Sequence, residues 1–191
     1  MKRQVMNKRK LREITLELLT ILGENPRREG LKGTPERVAD MYEELTSGYS
    51  EDPKEILSRE FSEVTGMVVA KDIDFFSLCE HHLLPFYGRV SIGYIPSEKV
   101  VGLSKLVRLV GVYSRRLQLQ ERMTKQIADA MNRNLKPRGV IVVVQARHLC
   151  MEMRGVRNAP DIVTSEIRGQ FERYESRNEF LSMLNRPNLP S

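Results

Sequence analysis

Apolar residues recur at helical spacing near the start of the chain and at strand spacing further on. Leu11, Ile14, Leu18, Leu19, Ile21 and Leu22 follow a three-to-four-residue repeat and predict a helix ended by Gly23. Thr34-Pro35 predicts a second helix, with Thr34 as N-cap and Pro35 at the first helical position. Val38, Met41 and Leu45 line one side of it up to Gly48. Asp52-Pro53-Lys54-Glu55 has the form of a capping box and opens a third, short helix. From Gly66 the period changes. Met67–Leu78, rich in Val, Ile and Phe, reads as a strand. So does Phe86–Ile95, where Val90 and Ile92 alternate with Arg89 and Ser91. Cys79–Pro85 is the turn between them. The region from Leu103 to about Leu135 is helical and broken near Arg115–Gln118, and Ile127, Ala130 and Met131 face the core in its second half. Beyond the Pro137-Arg138-Gly139 punctuation, Val140–Met151 is the strongest strand and Ile162–Phe171 a weaker one. Ser176-Arg177-Asn178-Glu179 predicts a capping box for a closing helix. The core order is therefore β-β-α-α-β-β behind a helical N-terminal region. The tail 186–191, with Pro187 and Pro190, is expected to be loose.

Composition narrows the class. The chain has 191 residues, 40% of them hydrophobic and 29% charged, the balance of a soluble globular protein. No apolar run approaches the ~20 residues of a membrane span, and the charged N-terminus lacks the apolar stretch of a signal peptide. A cytoplasmic protein with reduced thiols is expected, and no membrane partner. The net charge of +6 and the basic residues Lys2, Arg3, Lys8, Arg9, Lys10 and Arg12 raise a zinc-stapled nucleic-acid-binding module as a rival class. The excess is modest for this length and no basic platform interleaved with aromatic residues is present, so nucleic acid is not expected as a partner.

The sharpest signal is where the rare residues fall. All two cysteines and three histidines lie in two windows, Cys79-Glu80-His81-His82 and His148-Leu149-Cys150. Zinc takes thiolate and imidazole ligands. Cys79 and His82 have the Cys-x2-His spacing of a single turn. His148 and Cys150 are two apart on a predicted strand and so project to the same side. Cys79, His82 and Cys150 would form a three-ligand site that leaves a position for water, as in catalytic zinc centres. His81 and His148 then remain beside the metal as acid–base groups. A closed, four-ligand structural site using His81 or His148 is the alternative on this evidence.

Four motifs in order carry a resemblance: Cys79-Glu80-His81-His82; Gly102-Leu103-Ser104-Lys105; Gln118-Leu119-Gln120-Glu121-Arg122; and the run from His148 through Cys150 and Arg154 to Gly155. With Glu29-Gly30-Leu31 and Thr34-Pro35-Glu36-Arg37-Val38, they closely resemble the GTP cyclohydrolase I family from about Gly30 to Leu181. The resemblance implies an α+β tunnelling fold (T-fold): an antiparallel β-β-α-α-β-β sheet with helices on one face, here residues 61–185, after an N-terminal helical region, 1–60. It implies a homodecamer of two pentamers with active sites between subunits. It implies a Zn2+-dependent opening of the guanine imidazole ring of GTP, with loss of formate and formation of 7,8-dihydroneopterin triphosphate. Carried over residue by residue, Cys79, His82 and Cys150 match the zinc ligands. His148 matches the acid for the guanine ring nitrogen and His81 the histidine of later steps. Glu121 matches the carboxylate that anchors guanine, with Gln120 its neighbour in the pocket. Ser104, Lys105, Arg108, Arg154 and Arg37 match the ribose and triphosphate contacts.

The chemistry of the residues agrees. One carboxylate can accept hydrogen bonds from both guanine N1–H and the exocyclic amine, and a triphosphate requires several cations. No Gly-x4-Gly-Lys-Ser/Thr loop is present, which excludes a P-loop nucleotide site. The chain departs from the family pattern at Asp40, where many members carry a lysine, and at Ile162, where a threonine is common. The loop Val156–Asp161 is also short.

Overall fold

The computed structural model describes residues 6–62 and 66–187. Residues 188–191 of the predicted tail, and Lys2 and Arg3 of the basic stretch, lie outside the described residues. Helix α1 (Lys8–Ile21) starts at Asn7, whose side chain accepts from the Lys10 amide, and ends before Gly23 at φ 82°. It packs on α2 (Thr34–Leu45), tied by Lys8 to Asp40 and Glu43 and by Arg12 to Glu36. Asp40 is thus paired with Lys8. Thr34 is not the cap: Gly33 takes that position, no side chain caps the helix, and Pro35 sits in its first turn. Among the described residues the apolar stripe of α1 is only partly covered: Leu11 and Leu19 are half-buried, and Ile14, Leu18, Ile21 and Leu22 are exposed.

Asp52 caps α3 (Pro53–Ile56) as its motif requires, accepting from the Lys54 amide. The chain then forms β1 (Glu60–Phe61), β2 (Val68–Cys79), β3 (Pro85–Ile95), β4 (Val100–Val101), α4 (Leu103–Ser114), β5 (Leu117–Gln118) and α5 (Gln120–Leu135). It closes with β6 (Gly139–His148), α6 (Leu149–Glu152), β7 (Ile162–Gly169) and α7 (Tyr174–Leu184). The main sheet has the order β5-β2-β3-β6-β7, antiparallel except for the short parallel pairing of β5 with β2. β1 and β4 form a separate two-stranded pair.

Three further expectations are corrected. The strand predicted over Val140–Met151 stops at His148, and Cys150 lies on the helical turn α6, so His148 and Cys150 are not same-side neighbours on one strand. Helix α7 begins at Tyr174, which places Ser176–Glu179 inside it rather than at its cap. Helices also occupy both faces of the sheet. On one face Leu106, Leu109 and Val112 of α4 and Met123, Ile127 and Met131 of α5 pack against Phe86, Val90, Ile92, Val140, Val142 and Val144. On the other, Phe180 of α7 and Phe171 pack with Ile95 and Ile141. Strand β6 records this directly: Gly139–Val142 are buried in succession, covered from both sides, whereas Gln145 and Arg147 alternate outward beyond the reach of α7.

Gly93 makes the second contact possible, because a Cβ there would lie 2.6 Å from the Phe180 ring and 2.8 Å from Ile141. Gly93→Ala should therefore destabilise the protein by about 1–3 kcal/mol, the usual range for overpacking. Phe180→Leu should cost less in the Gly93→Ala background than alone. Denaturant midpoints of the two single variants and the double variant measure both effects.

Candidate active site

The site is built at one end of the sheet by strand register. Leu78 pairs with Pro85 across β2 and β3, and Phe86 pairs with His148 across β3 and β6. The end of β2 and the end of β6 are thereby held one strand apart. Cys79 closes β2. Its carbonyl accepts from the amides of Leu83 (2.8 Å) and His82 (3.4 Å), and its amide donates to Leu84 (2.8 Å). Leu83 takes a left-handed conformation, φ 55°, to complete this tight return. The turn folds His82 over Cys79, with Nδ1 3.8 Å from Sγ. From β6, the α6 turn swings Cys150 to the same point. The donor atoms of Cys79, His82 and Cys150 all lie within 4.8 Å of one another, both thiols buried and the imidazole exposed.

These three residues suit a zinc ion. Zn–S and Zn–N bonds of ~2.3 and ~2.0 Å in a tetrahedron put donor atoms roughly 3.5–3.8 Å apart. The Cys79–His82 separation is already of that size. Burial first, and then the neighbouring Cys79, push the Cys150 thiol above its ordinary value, and a cation at the centre reverses that by favouring thiolates. Arg154 stands over the cluster, with Nη1 3.0 Å from His82 Nε2 and 3.5 Å from the Cys150 carbonyl.

Of the two expected acid–base histidines, His148 is packed and His81 is exposed, its ring edge-on to His82 at 6.2 Å. His148 stacks parallel on Phe86, centroids 4.8 Å apart. Its Nε2 is 2.8 Å from Gln120 Oε1. Burial lowers the His148 pKa, and Glu121 and Glu152 oppose that shift. Glu121 lies exposed in the first turn of α5, near enough to act on His148. Gln120 differs from expectation. It is 2% exposed and turns inward, donating to the carbonyls of Val144 and Ile162.

The remaining candidates are not brought to this point. Gly102 precedes α4 and donates to the Arg59 carbonyl, and Val101 donates to the Tyr94 hydroxyl at the opposite end of β3. From Phe86 to Tyr94 the strand spans roughly 26 Å at ~3.3 Å per residue. Ser104 and Lys105 sit in the first turn of α4 at that far end, and Arg108 one turn along. Partial burial, then Arg108 and Arg59, push Lys105 below its ordinary value. Arg37 is on the N-terminal helix pair, exposed, with a long contact to the Gly30 carbonyl (3.4 Å).

Spacing alone gave no sign of two braces around the cluster. Arg122 holds Glu80 through both guanidinium nitrogens (2.5 and 2.9 Å), fastening the Cys79–His82 turn to α5. Arg147 holds Glu152 in the same manner (2.8 and 2.7 Å), fastening α6 to β6. Each arginine holds its carboxylate partner below the usual carboxylate range.

The fold and site define a mixed α/β protein with a cluster that could bind a metal at one end of its sheet. The sequence matches the family model of GTP cyclohydrolase I over residues 11–185. It is 52% identical over 181 residues to GTP cyclohydrolase 1 of Campylobacter jejuni, covering 93% of this chain and 95% of that one. It is 49% identical over 180 residues to GTP cyclohydrolase 1 of Porphyromonas gingivalis, covering 93% of each. Against the Campylobacter concisus enzyme of the same name the identity is 53% over 174 residues, covering 89% and 92%. The chain belongs to the GTP cyclohydrolase I family.

Cys79→Ser and Cys150→Ser should each lose any metal held by the cluster, because affinity depends on every donor of a three-ligand site. His148→Ala should keep it. Metal analysis of the purified variants distinguishes a three-ligand site from a closed one that includes His148.

Proposed function

We propose that this chain is a zinc-dependent GTP cyclohydrolase I, which opens the guanine imidazole ring of GTP, releases C8 as formate and forms 7,8-dihydroneopterin triphosphate. The observation that carries the reading is the convergence of Cys79, His82 and Cys150 beside His148 and Glu121, in a chain of this family. Cys79, His82 and Cys150 hold the metal. A zinc ion there supplies Lewis-acid activation of water near neutral pH, which a poor electrophile such as purine C8 requires. Glu121 accepts hydrogen bonds from guanine N1–H and the exocyclic amine and orients the base. His148 gives a proton to the ring nitrogen that leaves C8, and His81 serves the later steps. Arg154, Ser104, Lys105, Arg108 and Arg37 receive the ribose and triphosphate. The reaction is tested by incubating the protein with GTP and assaying formate and a fluorescent oxidised pterin. GTP left unchanged would refute it.

The catalytic unit is read as the T-fold β-β-α-α-β-β arrangement of residues 61–185, after the helical region 1–60 and before the tail 186–191. Its sites are completed between subunits of a homodecamer of two pentamers, in the cytoplasm. Three observations support this assembly. Within one chain the start of α4, with Ser104 and Lys105, lies at the end of β3 away from the metal cluster, and Arg108 follows one turn along. Among the described residues the α1 stripe is only partly covered, with Ile14, Leu18, Ile21 and Leu22 exposed. The outer side of β7, and most of that of β2, has no strand partner among the described residues, and such edges call for pairing.

Two predictions follow from the shared site. Lys105→Ala and Arg108→Ala should weaken GTP binding by roughly ten- to a hundredfold each, the size of a lost charge-assisted contact, by titration of GTP. Cys150→Ser protein, which is inactive, and Lys105→Ala protein, assayed at a GTP concentration too low for it to turn over, unfolded together and refolded at equal amounts, should regain activity at about one quarter of their sites, where an intact metal half meets an intact cation half. No recovery would place the whole site within one chain.

A further inference from the structure

We propose that Thr164 and Thr124 are positioning residues for His148: through Gln120 they hold the His148 ring by its Nε2–H and leave Nδ1 as the atom at which the ring passes a proton to substrate. The inference rests on the reading of His148 as the acid of ring opening. Its basis is a hydrogen-bond chain whose every direction is forced. Gln120 places Nε2 at 3.1 Å from the Val144 carbonyl and 3.0 Å from the Ile162 carbonyl. Carbonyls only accept, and the reversed amide would set an oxygen against both of them. Oε1 therefore faces His148 Nε2, and an amide oxygen also only accepts, so the hydrogen is on Nε2.

The same logic runs the other way along the chain. Thr124 donates its one hydrogen to the Gln120 main-chain carbonyl at 2.8 Å. In the 2.7 Å contact between the two hydroxyls, Thr164 must then be the donor. Gln120 Nε2 has two hydrogens for three acceptors, so Thr164 Oγ1, at 3.2 Å, shares one of them with a carbonyl in a bifurcated bond. Thr124 is wholly buried and Gln120 nearly so, and in such surroundings an unpaired polar group is costly, so the chain stays closed. The β6–β7 register, which pairs Val144 with Thr164, sets two of its anchor points side by side. Phe86 fixes the ring plane from below. Among the described residues no hydrogen bond reaches His148 Nδ1.

Thr164→Val keeps the shape of the side chain and removes the hydroxyl. It should lower kcat for GTP by roughly ten- to a hundredfold, the size of a misplaced acid, while KM for GTP and the zinc content stay at parental values. Thr164→Ser restores the hydroxyl and should restore kcat. Thr124→Val and Thr124→Ser carry the same expectation if Thr164→Val does not fold. Independently of turnover, solid-state NMR of protein labelled with 15N-histidine should show His148 in the Nε2–H form when neutral. With three histidines in the chain, its signal is assigned by its loss in His148→Gln. Parental kcat in the valine variants, a loss that serine does not restore, or an Nδ1–H ring in the parent would each overturn the proposal. A parent protein that leaves GTP unchanged removes the functional reading instead, and the NMR measurement still decides how the ring is held.

Discussion

The register of β3 between its two neighbours is the constraint on which the site depends. Leu78 opposite Pro85 and Phe86 opposite His148 bring two chain segments nearly seventy positions apart to the same edge of the sheet. A slip of one residue would turn Phe86, Val90 and Ile92 away from α4 and α5 and carry His148 to the other face. Those three side chains are fully buried, and each is worth on the order of 1.5–3 kcal/mol in removed apolar surface. The register is thus held by the core, and the polar cluster at its end inherits a geometry that its own contacts would not be strong enough to impose.

Around that fixed frame the polar groups do finer placement. The Cys79–Leu84 turn aims a thiol and an imidazole at one point. The α6 turn brings the second thiol there, where an extended strand would have carried it past. The Glu80–Arg122 and Arg147–Glu152 pairs are partly exposed and individually contribute little to stability. Their bidentate geometry nonetheless fixes the angle between the cluster, α5 and β6. Gln120 and the two threonines hold His148 from inside, where water cannot compete for the same donors and acceptors. The cations at the start of α4 and on α2 belong to surfaces that meet a neighbouring copy in the proposed assembly.

Legibility from sequence followed the range of the interaction concerned. The strand over Phe86–Ile95, the interrupted helix from Leu103 and the cap at Asp52 are local patterns of period or turn chemistry, and each is found within a residue or two of its expected place. Where local propensity and tertiary context disagree, context decides. The Val140–Met151 run has one strand-forming composition, yet pairing with β3 ends at His148 and the chain turns into α6. Ser176–Glu179 has the letters of a capping box, but α7 begins at Tyr174 with Arg173 in the cap position, so the box lies inside the helix.

The chain's own order of residues determined the candidate chemistry: two thiols and three imidazoles confined to two windows, a carboxylate in the first turn of a helix and a set of cations at marked positions are properties of residue type and need no coordinates. Only the tertiary structure decided which of them meet. It joined Cys79, His82 and Cys150, and it turned Gln120 inward. It chose Thr124 and Thr164 as that residue's partners and left Ser104, Lys105, Arg108 and Arg37 elsewhere. The physical reason is that such meetings are set by strand register and helix docking. Both depend on the summed burial of many apolar side chains far apart in sequence, a quantity that no short motif carries.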